Sequence, residues 1–527
     1  MHKRIYPKLL SILALALGIV AGGCSHDSSG GNNAVPSEAN SSQPFPTGIT
    51  DKPVALKMVL LGDKPKDFDL VYSEVNKLLK RDINAIVNVT FLSWADWQQK
   101  YPLLFAAGEE FDLIYTSNWA MYNAQASRGG FLELTKEMIA KFMPQTAETM
   151  YGEAWEQAKV DGKVYMLPMN AKEVQGTFTM IRGDMLEKYG LSIPDISSSS
   201  RDIEKFYEAV VQNDSDLVPY QGGGVSWWGM PMYVPMEDKK NWFEIGGAGN
   251  YHIYYDGTLV HPKAFAFIDT DAFLKGVTVS NQWLDKGYIS RSAMVNKSSD
   301  SDDFLHGKAS FTGGNLETIN AKYISITQLH PEWKSVVFDS SFGNPSELKP
   351  YTQNGMGINR SSKNPERAMM FLDLLRNDPR YYDLTHYGIE GKHYRISEDG
   401  QRIVPLPDSA NYPPDSGSPW GWNNDKLSLR IEGGIPNYDE LQDNMIKNAL
   451  TTPLSSLIFN DSKVKNELAA ITNVMEQYAK PMMYGVIKQS PADDVRYLRE
   501  KLKEAGSEKV LAEFQRQIDD YLSRNSK

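Results

Sequence analysis

The sequence predicts an α/β protein built as two bodies joined through extended crossing segments, and three observations predict it. A 527-residue chain with 41% hydrophobic and 23% charged residues is composed like a globular protein but is too long for one hydrophobic core, so two or three domains are expected. From Val54 to Tyr115 apolar strand patterns alternate with helical ones, which implies a parallel sheet flanked by helices. The stretch from Val160 to Leu186 then reads as a crossing out of that first body, although a meander inside one domain fits its local pattern equally well.

At the amino terminus, Lys3, Arg4 and Lys8 precede the apolar run Leu9 to Ala21, too short to span a bilayer as a mature helix but suited to a secretory signal. It ends at Val20-Ala21-Gly22-Gly23-Cys24, which resembles a bacterial lipobox, with Ala21 in place of the more usual Leu. Residues 1–23 are thus expected to be removed and Cys24, the only cysteine, to be lipidated; a buried structural cysteine behind an ordinary signal peptide is the alternative. With one cysteine no internal disulfide can form, even in an oxidising compartment. Residues 24–50 are Ser, Gly, Asn and Pro with scarcely an aliphatic, so they cannot bury enough apolar surface to order themselves and read as a tether. A flexible chain of that length spans on the order of 25 to 30 Å.

In the first body, Val54 to Leu61 is a continuous apolar strand. Phe68, Val71, Tyr72, Val75, Leu78 and Leu79 follow at helical spacing. Strand-like Ala85 to Phe91, a helix carrying Trp97, Tyr101, Leu104 and Phe105, and a strand Phe111 to Tyr115 complete βαβαβ. Ligands bind such sheets outside the carboxyl ends of the strands. The residues landing there are Gly62-Asp63-Lys64, Ser93-Trp94 and Thr116-Ser117-Asn118-Trp119, although a packing role for Trp119 stays open. Neither a GxGxxG nor a GxxxxGK[ST] signature accompanies them, which argues against nucleotide chemistry. The net charge of −11 argues against nucleic acid, whose phosphates would meet a repulsive field.

In the crossing, Asp161-Gly162 is a type I′ hairpin signal, Pro168 ends a strand, a β-rich run covers Thr177 to Ile181, and Gly183-Asp184 opens a helix. Beyond it, Gly222-Gly223-Gly224 leads into Trp227-Trp228; neighbours in a strand face opposite ways, so only one of these indoles would meet a ligand. Asp300-Ser301-Asp302-Asp303 fails as an EF-hand loop because Phe304 and Leu305 stand where an oxygen ligand and a glycine are needed. A strand at Lys308 to Thr312 would present Asn315 and Glu317. From Tyr351 an α/β unit returns, with Met356 and Ile358 on a strand and Asn364 capping a helix, and the tail is helical, with apolar stripes from Val464 to Tyr478 and from Val510 to Leu522.

Catalytic signatures are sparse. There is neither an HExxH nor a GxSxG motif, and His386 and His393 lack a third partner, so no metal, cofactor or catalytic residue is expected. A two-carboxylate glycosidase stays open, since its pair is defined in space.

The lipobox, the tether, and the stretches Phe111-Asp112-Leu113-Ile114-Tyr115-Thr116-Ser117 with Asn118-Trp119, Asp161-Gly162-Lys163-Val164-Tyr165, Tyr387-Gly388-Ile389-Glu390-Gly391-Lys392-His393-Tyr394 and Gly421-Trp422-Asn423-Asn424 are similar to those of extracellular solute-binding lipoproteins of bacterial ABC importers. More narrowly the chain resembles the LplA-type family of large carbohydrate binders, whose C-terminal domain of unknown function is similar to Asn448 through Leu522. The resemblance implies a two-lobed, type II periplasmic-binding-protein-like fold with an interlobe cleft and extra C-terminal helices. By analogy lobe one is 51–168 plus 345–400 and lobe two is 169–344 plus 401–527. It further implies a monomer anchored by lipid on the outer face of the cell membrane, handing an oligosaccharide to ABC permease subunits; a secreted carbohydrate-active hydrolase or a surface adhesin are the alternatives. A sugar presents C–H faces and a rim of hydroxyls, which calls for aromatic platforms and polar side chains. Trp119 and Trp228 are therefore expected as platforms, one per lobe, with Trp94 and Trp422 as further subsites and Asp63, Asn118, Lys172, Glu173, Asn315 and Asn423 as polar contacts. Lys64, Lys172 and Arg182 would permit acidic sugars.

Overall fold

In a computed structural model of the protein, the described residues are 45, 48 and 50–527, apart from 95, 171–172, 215, 223–240, 247, 299, 415, 451–453, 455–456, 458 and 526–527. Cys24, Lys172, Trp227 and Trp228 lie outside them.

The first body forms as its periodicity predicts. Strand β1 (Val54–Leu61), helix α1 (Phe68–Ile83), strand β2 (Ala85–Leu92), helix α2 (Trp97–Ala106) and strand β3 (Leu113–Thr116) follow in order. Helix α1 buries Phe68, Val71, Tyr72, Val75 and Leu79 against the sheet. It ends at Asn84, which takes the left-handed conformation at φ 48° and returns its N–H to Leu79 O. Strand β1 pairs in parallel with β2 along its full length and with β3 at Met58 and Val59. The sheet is mixed, not wholly parallel: Gly355–Ile358 joins β3 antiparallel and Met166–Pro168 closes the far edge, also antiparallel. Glycine is required where this returning strand meets its neighbour, because a Cβ on Gly355 would stand 2.2 Å from Met166 Cε and 2.3 Å from Leu167 O.

The crossing predicted from Val160 to Leu186 does leave the first body. Asp161 and Gly162 have φ of 50° and 80° between the short antiparallel strands Lys159–Val160 and Lys163–Val164, as a type I′ turn requires. Met166–Pro168 belongs to the first sheet, whereas Phe178–Ile181 is the middle strand of a separate antiparallel sheet, flanked by Phe311–Gly314 and Val336–Asp339. Between them Val174–Gln175 pairs antiparallel with Glu347–Leu348, the segment by which the chain comes back. The helix after the central strand starts at Gly183, where a Cβ would lie 2.0 Å from Lys334 O.

Alternation along Phe178–Ile181 divides the second body: Phe178 and Met180 pack with Leu316 and Ile319 of helix Leu316–Leu329, while Ile181 packs with Phe206, Tyr207 and Trp283 on the other face. A further antiparallel sheet, Trp242–Ile245, Ile253–Asp256 and Phe265–Ala266, shares a core with the C-terminal helices Lys465–Val474, Pro491–Glu504 and Ser507–Asn525. The expected C-terminal stripes supply Ile471, Val510, Phe514 and Ile518 to that core. Among the described residues no helix is long and apolar enough to cross a membrane.

One expected boundary moves. Residues 401–431, assigned by analogy to lobe two, pack on the first body: Tyr412 and Trp422 are in its core, and Arg402–Pro405 pairs with Tyr394–Ile396. The chain crosses for a third time after Arg430–Ile431, where Ile435 N–H donates to Asn320 Oδ1 at 2.9 Å and Ile435 joins the second body's core. Buried Arg376 ties two of the crossings together: it donates to Pro168 O, while Asn424 donates to Arg376 O and accepts from Asn170. Burial lowers its guanidinium to a pKa of about 9.

Candidate functional site

The carboxyl ends of β1, β2 and β3 face the second lobe. Asp63, just past β1, is within electrostatic reach of Asp302. Asp96, past β2, is likewise influenced by Lys297. Past β3, a Cβ on Gly246 of the second lobe would lie 3.0 Å from Asn118 O. The strand ends therefore form one wall of the space between the lobes.

On that wall sit three half-buried indoles from three chain segments. Trp94 lies parallel to Trp420 with centroids 6.0 Å apart and an interplanar angle of 14°, and to Trp119 at 6.2 Å and 29°. Trp119 and Trp420 are 6.2 Å apart. Trp119 is fixed by its Nε1–H, which donates to Gln353 O at 2.8 Å, and by the edge of Trp97. Tyr115 meets Trp420 at 4.2 Å and passes a hydrogen-bond chain to the hinge: its hydroxyl donates to Asn354 Oδ1 at 2.6 Å, and Asn354 Nδ2 donates to Glu173 at 3.0 Å. Indoles held this way form a rigid apolar floor, and the orienting bonds are made by protein groups that a ligand need not supply.

One carboxylate, Asp63, borders this floor, since it follows Gly62, where a Cβ would lie 3.2 Å from Trp94 Nε1. Asp63 is open to solvent, yet enough protein surrounds it that desolvation, with a smaller contribution from Asp302, pushes its carboxyl above the ordinary range. Deeper toward the hinge, Asn118, Asn123, Glu244, Glu347, Lys349 and Leu454 line a small polar recess shared by both lobes. Desolvation there would lower the Lys349 ammonium, but Glu347, Glu244 and Glu173 outweigh it and the net shift is upward.

Of the residues singled out from sequence, Trp94 and Trp119 are in ring contact, Asp63 follows the glycine packed against Trp94, and Glu173 joins them through Asn354 and Tyr115. Asn118 sits beside them but turns its side chain into the hinge recess, where its Oδ1 has no hydrogen-bond partner. Asn315 caps its helix by accepting from Thr318 N at 2.8 Å. One expectation is corrected. Trp422 is fully buried and donates its Nε1–H to Thr385 Oγ1 at 3.0 Å, so it offers no face to a ligand. Asn423 is half-buried, and its Oδ1 accepts from Tyr382 at 2.5 Å. The residue missed is Trp420. Left-handed Ser418 at φ 60° precedes the 3-10 turn Pro419–Trp422, which aims Trp420 at Trp94 and sends Trp422 inward. The two tryptophans flanking Gly421 carried a visible signal, but which of them faced outward depended on that turn.

Comparison with known proteins bears on the family and the fold. Residues 84–379 match the bacterial extracellular solute-binding protein family, and residues 453–523 match a domain of unknown function, DUF3502. Over 517 residues the chain is 25% identical to a carbohydrate ABC transporter substrate-binding protein of Streptococcus pneumoniae serotype 4, covering 97% of each chain. Among solved structures it is similar in fold to the N-glycan transport solute binding protein NgtS of Streptococcus pneumoniae in complex with Man5GlcNAc, with TM-score 0.73, 24% identity, and 90% of this chain and 99% of that one covered. The alginate-binding protein AlgQ2 has a similar fold at TM-score 0.64 and 18% identity, covering 90% of this chain and 100% of that one. With two lobes, three crossings, an aromatic floor between the lobes and a family match over most of the first 379 residues, the chain belongs to the bacterial extracellular solute-binding proteins.

Proposed function

We propose that this protein captures an oligosaccharide in the space between its lobes and delivers it, chemically unaltered, to the permease of an ABC importer. The observation that carries the reading is the floor of Trp94, Trp119 and Trp420 at the strand ends, with the Asp63 carboxylate beside it. Pyranose C–H faces pack on indole faces, and carboxylates accept from hydroxyls, so each sugar ring is held by dispersion below and hydrogen bonds at its rim. The paired hinge strands Val174–Gln175 and Glu347–Leu348 support closure as rigid bodies, because bending is confined to a few residues. The relatives that transport carbohydrates and N-glycans make oligomannosides a natural first ligand.

Cys24 would be the lipid attachment point and residues 25–50 the tether, keeping a monomeric binding body at the outer face of the membrane. Trp119 and Asp63 on lobe one, Glu173 at the hinge, and Lys172 and Trp228 from the segments outside the described residues remain the proposed contacts, joined now by Trp420. The test is thermal stabilisation and calorimetric titration of the mature chain with neutral oligosaccharides, followed by chromatography of the recovered sugar. Saturable binding with intact sugar is expected. Shortened sugar, or no binding across oligomannosides, malto-, cello- and chito-oligosaccharides, would overturn the reading. Replacing Cys24 by Ser should release the protein into the medium.

A further inference from the structure

If the indole floor holds a sugar as proposed, the residue that fixes its geometry lies outside it. Trp94 and Trp420 come from distant segments of the chain, yet their rings are parallel to within 14°. Both are registered on the same strand end. On the Trp94 side, Gly62 directly follows β1 at φ 106°, and a Cβ there would lie 3.2 Å from Trp94 Nε1, so glycine lets the indole come close. On the Trp420 side, the Ser418 hydroxyl donates to the carbonyl oxygen of Leu61, the last residue of β1. The turn that follows is closed by Gly421 N–H, which donates to Ser418 O at 3.2 Å. Gly421 in turn seats against the first sheet, where a Cβ would stand 2.9 Å from Met356 Sδ and 3.2 Å from Tyr115 Cδ2. Ser418 is only 1% exposed, so its hydroxyl is out of a ligand's reach. Its backbone is left-handed, at φ 60° and ψ 37°, a conformation that glycine adopts freely and a residue with a Cβ does not. The hydroxyl is what serine adds there.

We infer that Ser418 is a positioning residue of the binding floor: its hydrogen bond to Leu61 O locks the turn carrying Trp420 to the strand end against which Trp94 rests, and so sets the spacing of the two indoles. The 6.0 Å between their centroids is then dictated by β1 and not by the loop alone. A platform already held in place needs no ordering when sugar arrives. Without the bond, the ligand would have to immobilise the Trp420 side chain itself, and ordering one such side chain weakens binding about 2- to 12-fold. Tyr115 still touches Trp420 at 4.2 Å, so the loss is partial and stays below that of removing the indole.

The test is calorimetric titration of the full mature chain and of Ser418→Ala and Ser418→Gly, each with and without Trp420→Ala, using whichever of the neutral oligomannosides, malto-, cello- and chito-oligosaccharides binds the unsubstituted protein. Ser418→Ala removes only the hydroxyl and keeps the Cβ at positive φ; Ser418→Gly also frees the backbone. Affinity should fall about 2- to 12-fold in Ser418→Ala and at least as far in Ser418→Gly. Glycine suits the turn better, so the urea midpoint of Ser418→Gly should be no lower than that of Ser418→Ala. A purely structural role would order affinity and stability alike. In the Trp420→Ala background neither substitution should weaken binding further, because the indole through which Ser418 acts is gone. Unchanged affinity in both single variants, or an equal loss with and without Trp420, overturns the inference while leaving oligosaccharide capture intact. If Trp420→Ala itself binds normally, the indole floor is not the sugar site; if no sugar binds the unsubstituted protein, the capture reading fails. In either case this role of Ser418 falls with it.

Discussion

The two tryptophans on either side of Gly421 make opposite predictions. Trp420 is half-buried and stacked on Trp94, whereas Trp422 is fully buried and hydrogen-bonded to Thr385. Replacing Trp422 by Ala removes a whole indole from the core and leaves the Thr385 hydroxyl without its donor, a loss of about 3 to 5 kcal/mol. Replacing Trp420 or Trp94 by Ala removes side chains already partly in water, so the stability loss should be about 1 to 2 kcal/mol, while the sugar loses a platform. Anchoring aromatic side chains contribute about 1 to 3 kcal/mol, so affinity should fall roughly 5- to 150-fold in Trp94→Ala and Trp420→Ala. The assay pairs urea denaturation with calorimetric titration at 25 °C. Because two lobes need not unfold together, the midpoint of the first transition is the quantity to compare. Trp422→Phe, which keeps most of the ring, provides a folded control and should bind sugar like the unsubstituted protein. The reasoning is refuted if Trp422→Phe loses sugar binding at unchanged stability, or if Trp94→Ala and Trp420→Ala bind normally.

Trp119→Phe keeps an aromatic face but removes the donor to Gln353 O, which should cost about 1 to 3 kcal/mol in urea denaturation and reduce sugar affinity less than Trp94→Ala does. Gly355→Ala should destabilise the first lobe by at least about 1 to 3 kcal/mol, since its Cβ would collide with Met166 and with the backbone of Leu167; an unshifted urea midpoint would show that the strand yields. The Asp63 carboxyl is raised above 3.8 in the folded protein, so the folded state binds more protons than the unfolded one and stability falls as pH rises through the window just above that value. Asp63→Asn removes that penalty: the variant should gain stability relative to the unsubstituted protein between acid and neutral pH. Thermal melts across pH 3 to 7 that run parallel for the two proteins would contradict the assignment.

Much of the fold was legible because it depends on local periodicity. Helix α1 follows from six apolar residues at helical spacing, the hairpin at Asp161-Gly162 from two residues that tolerate positive φ, and the C-terminal core from the stripes through Ile471 and Phe514. What was not legible is set by contacts distant in sequence. The antiparallel return of Gly355–Ile358 beside β3 depends on a partner more than two hundred residues away, and apolar runs do not encode strand direction. Residues 401–431 were placed with lobe two by analogy; Tyr412 and Trp422 pack instead against the first sheet. At the proposed site, the strand pattern alone placed Asp63, Trp94 and Trp119 just past the carboxyl ends of β1, β2 and β3. Choosing Trp420 over Trp422 required the backbone turn at Ser418, and assessing Lys64 and Arg182 required seeing that Asp69 and Asp184 already hold them.

The measurement that bears most directly on the account is a crystal structure of the mature chain grown with a neutral oligomannoside. It should show a sugar ring lying on the floor of Trp94, Trp119 and Trp420, with residues of both lobes bonded to its hydroxyls and its glycosidic bonds intact. Sugar bound only on the outer surface of one lobe, with the three indoles uncovered, would contradict it.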